Sequence, residues 1–243
     1  MPDWLTARPV AHRGLHDAAA GVIENTAAAF AAAIAGNYAI ECDLQISADG
    51  EAMVYHDDAL GRLTDGAGRL DALSVSELKR VAFRATADRM LTLGELCDLV
   101  SRRVTLVLEL KSRFDGDPRL PRRIAEVLAS YRGPVAVMSF DPGPLAALHR
   151  LAPVLRRGLV AQRREAGDAH DDGRVSSLRF AAQILAARLN FLAYRVQDLD
   201  GAFPRAARHV VGLPLLTWTV RTGEERAHAA RLADQMIFEG FRP

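Results

Sequence analysis

The chain has 243 residues, of which 49% are hydrophobic and 25% charged, and its formal net charge at pH 7 is +1. A nearly neutral chain lacks the basic surface that is typical of proteins binding nucleic acid or anionic membranes, so neither partner is predicted. No apolar run approaches the roughly 20 residues that a membrane span requires, and the length suits one large α/β domain with a substantial core.

The start of the chain and its cysteines indicate a cytoplasmic protein. The chain begins with MPDWL, which lacks the basic and then apolar regions of a secretory signal peptide. Its cysteines are Cys42 and Cys97, and Cys42 lies within a predicted buried strand, which argues against a disulfide framework. We therefore predict two reduced thiols in the core and a cytoplasmic location.

Strand-like apolar runs alternate with helical segments along the chain. The runs predict eight core strands, at residues 9–11, 38–43, 104–110, 135–138, 154–160, 191–195, 215–219 and 235–238, with a short extra strand at 52–55. The predicted helices lie at 26–36, 74–81, 93–101, 118–131, 142–151, 175–188 and 222–232. Eight strands separated by helices are the count of a TIM (β/α)8 barrel. We predict one domain over residues 1–243, with the polar stretch 163–174 as a mobile loop.

Ionisable residues stand where four of these apolar runs end. His12 and Arg13 follow the run 9–11, Glu41 and Asp43 the run 38–40, His56 the run 52–55, and Glu109 and Lys111 the run 104–108. Residues two apart in a strand point to the same face, so Glu41 and Asp43 project together, and Glu109 and Lys111 repeat this spacing. Since a barrel keeps its active site at the carboxyl ends of its strands, we expect one site built from these groups.

A cluster of carboxylates at strand ends predicts a metal site. Glu41, Asp43 and Glu109 supply oxygen ligands, which the hard divalent cations Mg²⁺ and Ca²⁺ prefer. Zinc is less favoured, because the carboxylates outnumber the available sulfur and imidazole ligands. The alternative is a salt-bridged group at the barrel rim, with Glu109 and Lys111 as an ordinary surface pair.

The same residues stand within a longer set of motifs that closely resembles the glycerophosphodiester phosphodiesterase family. The resemblance spans nearly the whole chain and is most specific between residues 11 and 64. The matching elements are Ala11-His12-Arg13-Gly14, Glu24-Asn25-Thr26, Ala29-Phe30, Glu41-Cys42-Asp43-Leu44, Asp49-Gly50, Val54-Tyr55-His56-Asp57, Leu60-Gly61-Arg62-Leu63-Thr64, Leu91-Thr92-Leu93-Gly94-Glu95, Leu108-Glu109-Leu110-Lys111, Ser139-Phe140-Asp141 and Trp218-Thr219-Val220.

This resemblance implies metal-dependent hydrolysis of glycerophosphodiesters to sn-glycerol 3-phosphate and an alcohol. It implies that His12 and His56 are the general acid and base, without saying which is which, and that residues 48–90 form an insertion at the barrel mouth. Arg13, Lys111 and Trp218 are then expected to bind the small-molecule substrate. The nucleophile is either water or the neighbouring glycerol hydroxyl, which would give a cyclic phosphate. A homo-oligomer is left open.

Several neighbours of these residues have more than one interpretation. Glu24 is expected to orient His12, and Asn25 either caps the following helix or serves the site. His16 is interpreted as a surface or structural residue, although it lies close to the expected mouth.

The chain departs from the family near its end, where Arg221 follows the Trp-Thr-Val element in place of the common Asn, and where the Thr-Asp usually found before the last Pro is missing. We predict that Arg221 reaches the rim and disfavours cationic head groups, unless it pairs with Glu224 or Glu225. Two other functions stay open, a lysophospholipase D or sphingomyelinase D type of reaction and a non-catalytic barrel that binds phosphorylated ligands.

Overall fold

A computed structural model describes residues 3–163 and 177–243, and it shows strands and helices in regular alternation. The strands are β1 (Val10–Ala11), β2 (Ala39–Ile46), β3 (Ala52–Val54), β4 (Leu106–Leu110), β5 (Val135–Ser139), β6 (Arg156–Ala161), β7 (Phe191–Arg195), β8 (Leu215–Val220) and β9 (Gln235–Phe238). The α-helices are α1 (Ala27–Ala35), α2 (Val75–Leu78), α3 (Leu93–Val100), α4 (Arg119–Leu128), α5 (Pro142–Leu151), α6 (Ser177–Ala187), α7 (Ala202–His209) and α8 (Gly223–Leu232).

Eight of the strands close into a parallel barrel, which confirms the predicted TIM fold. The order of hydrogen-bonded neighbours is β1-β9-β8-β7-β6-β5-β4-β2, and β1 also pairs with β2 to complete the ring. Strand β3 lies outside the ring and pairs antiparallel with the far end of β2.

The closing strand of the barrel is its shortest. Strand β1 contains only Val10 and Ala11, yet both residues pair with β2 on one side and with β9 on the other. The backbone N–H of His12 extends the contact by donating to the carbonyl of Phe238 at 2.9 Å. The first and last strands of the chain therefore meet at this seam, and the residues that follow them are brought together.

Alternation along the strands separates an inner from an outer apolar layer. Leu106, Leu108 and Leu110 of β4 belong to the large cluster between the barrel and its helices. Val107 belongs to a smaller cluster inside the barrel. Glu109 shares the inward face of Val107, because residues two apart in a strand point the same way. The inner layer is thus apolar below and ionisable towards the mouth.

The insertion after β2 carries an apolar cluster of its own. Its buried members come from β3, from α2 and from the loops around them, with Ile23 added from the loop before α1, and they pack apart from both barrel layers. These members are Ile23, Met53, Tyr55, Leu60, Leu70, Leu78, Phe83 and Met90. The segment that follows β3 and carries His56 thus rests on a support that is distinct from the barrel core.

The structure corrects several details of the predicted elements. Glu41 and Asp43 were predicted to end the second strand, but β2 continues beyond them to Ile46. Thr26, and not Asn25, caps α1 by accepting a hydrogen bond from the backbone of Ala29. Helix α7 has no counterpart among the predicted helices.

Of two further predictions, one falls largely outside the described residues and the other is confirmed. The loop predicted at 163–174 lies outside the described residues from position 164 onward. Cys42 and Cys97 are both buried and free, as predicted. Among the helices of the described ranges, none combines the length and the apolar character needed to traverse a bilayer.

Candidate active site

A tight turn after β1 delivers the first two site residues to the mouth of the barrel. Arg13 and Gly14 both have positive φ, at 54° and 80°. A Cβ atom on Gly14 would lie 2.9 Å from Ala29, so both the conformation and the space at this position require glycine. The turn leaves the backbone N–H of Arg13 pointing at the carboxylate of Glu41, 2.9 Å from Oε2.

Three carboxylates converge on the inner face of the barrel beside this turn. Glu41 and Asp43 lie two apart on β2, and Asp43 is in register with Glu109 on β4. All three are buried, and one oxygen from each lies within 4.8 Å of the others. The predicted acidic cluster therefore exists, although Glu41 and Asp43 lie in the middle of β2 and not at its end.

Two cations in the described part of the chain offset this negative charge. Lys111 Nζ lies 2.8 Å from Asp43 Oδ1 and 2.6 Å from Glu109 Oε1. Arg13 Nε lies 3.2 Å from Asp43 Oδ2 without the alignment of a hydrogen bond, and the Asn25 amide donates to the same oxygen at 2.9 Å. Burial works against the Asp43 carboxylate, but Lys111 and Arg13 outweigh it and hold its pKa well below the usual range. Asn25 thus binds a carboxylate of the acidic cluster and does not cap α1.

Glu41 is the member of the cluster whose charge is least compensated. Its Oε1 atom is buried with no hydrogen-bond partner among the described residues. Burial raises its pKa well above the ordinary value, and the charges of Asp43 and Glu109 add to the effect. A buried carboxylate with a free oxygen beside two others calls for a further cation. The all-oxygen donor set fits a hard divalent ion such as Mg²⁺ or Ca²⁺.

His12 is oriented by a residue that the sequence analysis did not identify. Its Nδ1 atom contacts Oε2 of Glu239, which directly follows β9, while its Nε2 atom lies 4.0 Å from Glu41 Oε2. Burial lowers the pKa of His12, which favours the neutral imidazole. Burial works against the Glu239 carboxylate, but its contacts with His12, His16 and Arg221 outweigh burial and hold its pKa far below the usual range.

Glu24 and Arg221 have partners other than those predicted. Glu24, expected to orient His12, instead forms an ion pair with Arg13, with 2.7 Å between Oε1 and the Arg13 Nη1 atom. The side chain of Arg221 binds Glu239, with Nε 2.6 Å from Oε1, and not Glu224 or Glu225. Only the backbone N–H of Arg221 meets Glu225. The Glu239 carboxylate thus links the ends of β1, β8 and β9.

His56 approaches the cluster from the insertion. Its Nδ1 atom lies 2.7 Å from Asp57 Oδ1, and Arg62 binds the same aspartate and Glu24, with 2.6 Å to each carboxylate. Since Glu24 also binds Arg13, a continuous chain of ion pairs joins the insertion to the barrel.

One side chain of β2 holds the backbone around His56 through hydrogen bonds. The buried Gln45 amide donates to the carbonyls of His56 at 2.9 Å and Asp57 at 2.5 Å. His12 and His56 both contribute to lowering the pKa of Asp43, so both imidazoles lie within electrostatic reach of this carboxylate. The structure thus brings the predicted histidines, cations and carboxylates together.

The remaining predicted site residue, Trp218, is anchored in the inner apolar layer. Its indole N–H donates to the carbonyl of Ala193 at 3.2 Å, and its ring meets Phe140 edge-on with 5.4 Å between centroids. It is only partly buried. His16, interpreted as a surface or structural residue, places Nε2 3.7 Å from Glu239 Oε2.

Comparisons with known proteins agree with this geometry. The family model described as the glycerophosphoryl diester phosphodiesterase family matches residues 12–240. A glycerophosphodiester phosphodiesterase of Caldanaerobacter subterraneus is 31% identical over 63% of this chain and 66% of its own length. Another, from Bacillus altitudinis, is 32% identical over 59% of this chain and 62% of its own length. The chain thus spans slightly less than two thirds of the length of these relatives.

The fold is shared with solved structures. An Oleispira antarctica phosphodiesterase, solved in complex with the product sn-glycerol-3-phosphate, superposes with a TM-score of 0.78 at 21% identity, covering 95% of this chain and 91% of that one. Because the family model extends over almost the whole chain and the barrel is the same, this protein belongs to the glycerophosphoryl diester phosphodiesterase family.

Proposed function

We propose that the protein hydrolyses glycerophosphodiesters to sn-glycerol 3-phosphate and an alcohol, with the help of a divalent cation. Family membership supports the reaction class. The observation that carries the proposal is the buried cluster of Glu41, Asp43 and Glu109, with one carboxylate oxygen left without a partner and two histidines beside it.

The three carboxylates are the residues that would hold the cation, either Mg²⁺ or Ca²⁺. When bound there, such an ion neutralises charge that builds on the non-bridging oxygens of a phosphodiester under attack. Lys111 and Arg13 add two fixed positive charges at the same place. Arg13 suits a phosphate because its planar guanidinium can donate two hydrogen bonds at once.

His12 and His56 divide the proton transfers in this proposal. Each has its Nδ1 atom held by a carboxylate, Glu239 in one case and Asp57 in the other, so that Nε2 is left for the substrate. A carboxylate on Nδ1 fixes the tautomer and stabilises the protonated ring that forms during transfer. Each transfer is worth about 10²–10⁴-fold in rate. Whether water or the glycerol hydroxyl attacks is decided by searching for a cyclic phosphate with ³¹P NMR.

The alcohol half of the substrate would lie towards Trp218 and the rim. The charge of Arg221 is neutralised by Glu239, so its expected discrimination against choline and ethanolamine head groups is smaller than for a free guanidinium. The remaining discrimination is measured by the ratio of kcat/KM for glycerophosphocholine to kcat/KM for glycerophosphoglycerol. This ratio is compared between the parent and Arg221→Asn. The cytoplasmic location and the oligomeric state stay predictions.

A panel of phosphodiesters tests the proposed reaction. The purified protein is incubated with each substrate, with chelator and then with added Mg²⁺ or Ca²⁺, and both products are identified. We expect sn-glycerol 3-phosphate from glycerophosphodiesters, loss of activity in chelator and recovery with metal. Glu41→Gln should bind the metal much more weakly. Choline released from lysophosphatidylcholine would instead favour the lysophospholipase D alternative, and binding of phosphorylated ligands without turnover would favour the non-catalytic one.

A further inference from the structure

The mouth of the barrel holds a second group of metal-ligating side chains whose chemistry differs from that of the acidic cluster. His12, His16 and Glu239 each offer one donor atom, and these atoms lie within 4.8 Å of one another. Two imidazoles and a carboxylate form a donor set typical of zinc sites, whereas hard cations prefer oxygen alone. The two clusters should therefore select different ions.

The carboxylate of Glu239 is fixed with one oxygen between the two imidazoles. Arg221 Nε binds Oε1 at 2.6 Å. The other oxygen, Oε2, contacts His12 Nδ1 and lies 3.7 Å from His16 Nε2. Because both histidines meet the same oxygen, all three donor groups face one point at the rim.

His16 supplies an independent indication that this point receives a ligand. Its Nε2 atom is shielded from solvent and has no hydrogen-bond partner within the part of the chain that the structure describes, since Glu239 Oε2, at 3.7 Å, lies beyond hydrogen-bond distance. A shielded ring nitrogen without a partner is costly, whether it carries a proton or a lone pair. An ion bound at this nitrogen would supply the missing partner.

We propose that His12, His16 and Glu239 form an inhibitory site for a borderline transition-metal ion of the Zn²⁺ class. This proposal rests on the proposed function, because the inhibition acts through His12. The side chains are 14%, 21% and 20% exposed, so an ion can enter from the mouth and keep a water molecule as its fourth ligand. Tetrahedral zinc places its ligands about 3.3 Å apart, so the imidazoles approach each other by about 1.5 Å at most.

The bound ion disables His12 in either proton role. Since the Glu239 carboxylate only accepts, the neutral His12 ring donates from Nδ1 and keeps its lone pair on Nε2. The ion takes the place of the Nδ1 proton, which leaves to solvent, and Nε2 gains a proton from solvent, so no net proton is exchanged. His12 then has no lone pair with which to accept a proton. It also has no second proton with which to act as an imidazolium acid.

Zinc titration of the full chain tests the site, with saturating Mg²⁺ present to supply the acidic cluster. Calorimetry measures binding without turnover, and a parallel assay measures inhibition. We expect one zinc ion bound and loss of hydrolysis in parallel. His16→Asn should weaken zinc binding and inhibition by about tenfold or more while leaving zinc-free turnover unchanged. His209→Asn is the matched control, because His209 is exposed at the end of α7 that leads to the opposite rim of the barrel.

The outcomes separate this site from the proposed reaction. Unchanged zinc affinity in His16→Asn and in His16→Gln, with both variants folded by circular dichroism, would overturn the site. Zinc binding that depends on His16 but leaves hydrolysis intact would overturn the inhibition. If the protein hydrolyses none of the phosphodiesters yet binds zinc through His16, the metal site stands and the proposed function fails.

Discussion

Replacing Glu41 by glutamine should stabilise the metal-free protein, although it should harm the function. Glu41 is buried, and oxygens of Asp43 and Glu109 lie within 4.8 Å of its own. At an effective dielectric constant of about 20, two like charges at that separation repel by about 3.5 kcal/mol. Arg13 offsets part of this repulsion. We therefore expect a net gain of about 2 kcal/mol in the free energy of unfolding, or about 4–8 °C in Tm.

The gain should depend on pH in a defined direction. The folded-state pKa of Glu41 is raised above its ordinary value of 4.5, so the folded protein binds the proton more tightly than the unfolded chain does. The contribution of Glu41 to the stability of the parent is therefore fully present below its ordinary pKa. This contribution is lost as the pH rises towards the folded-state pKa of Glu41. Glutamine cannot ionise, so the advantage of Glu41→Gln should be absent at pH 4 and present at pH 7.

Thermal melts in chelator at pH 4 and pH 7, monitored by circular dichroism, measure this difference. Glu126→Gln on α4 is the matched control, because its carboxylate is 56% exposed and should change the free energy of unfolding by less than about 0.5 kcal/mol. With saturating Mg²⁺ the order should reverse, since the parent binds the ion more tightly. A metal-free Glu41→Gln variant that melts at or below the parent at pH 7 would refute the reasoning.

Three further variants test other parts of the structure. His56→Ala should lose at least about 10²-fold in kcat with Mg²⁺ affinity unchanged by calorimetry, and near-normal turnover would remove it from proton transfer. Asp57→Asn, which loses the charge 2.7 Å from His56 Nδ1, should lower kcat by about tenfold or more with little change in KM, and an equal change in both would argue for a binding role. Gly158→Ala puts a Cβ 2.2 Å from the Phe191 ring and should cost about 1–3 kcal/mol in unfolding free energy, whereas Gly223→Ala, with no atom within 4 Å, should cost little in the same melts.

The acidic cluster could be predicted because strand geometry is local. Glu41 and Asp43 share a face through the two-residue period of a strand, and a parallel barrel brings Glu109 to the same level. The predicted second strand nevertheless ends too early, at Asp43. Charged residues usually mark the end of a buried strand, but the mouth of the barrel accommodates inward carboxylates, so β2 continues to Ile46.

The partner of His12 could not be found from local pattern, since Glu239 is 227 positions away. One signal was present in the sequence. Glu239 directly follows the last predicted strand as His12 follows the first, and closure of a barrel sets those two strands side by side.

Helix α7 was missed because its apolar pattern is weak. Only Pro204 and Ala207 are buried along its eight residues, too few to give a helical period. Its start combines Gly201 and Pro204, which read as a turn in sequence. Pro204 is accepted there because backbone N–H groups in the first turn of a helix have no carbonyl partner within the helix, so the N–H that proline lacks is not needed.

The shortness of β1 has a consequence for how activity reports on folding. Two residues hold the first strand between β2 and β9, and the contact of His12 with Glu239 lies directly above that seam. Any opening of the cylinder at this place separates the imidazole from its carboxylate while the remaining strands stay paired. Turnover should therefore vanish in partially opened forms that still retain most of their secondary structure. Hydrogen exchange at the amide of His12, bonded to Phe238 in the closed barrel, would follow the same event.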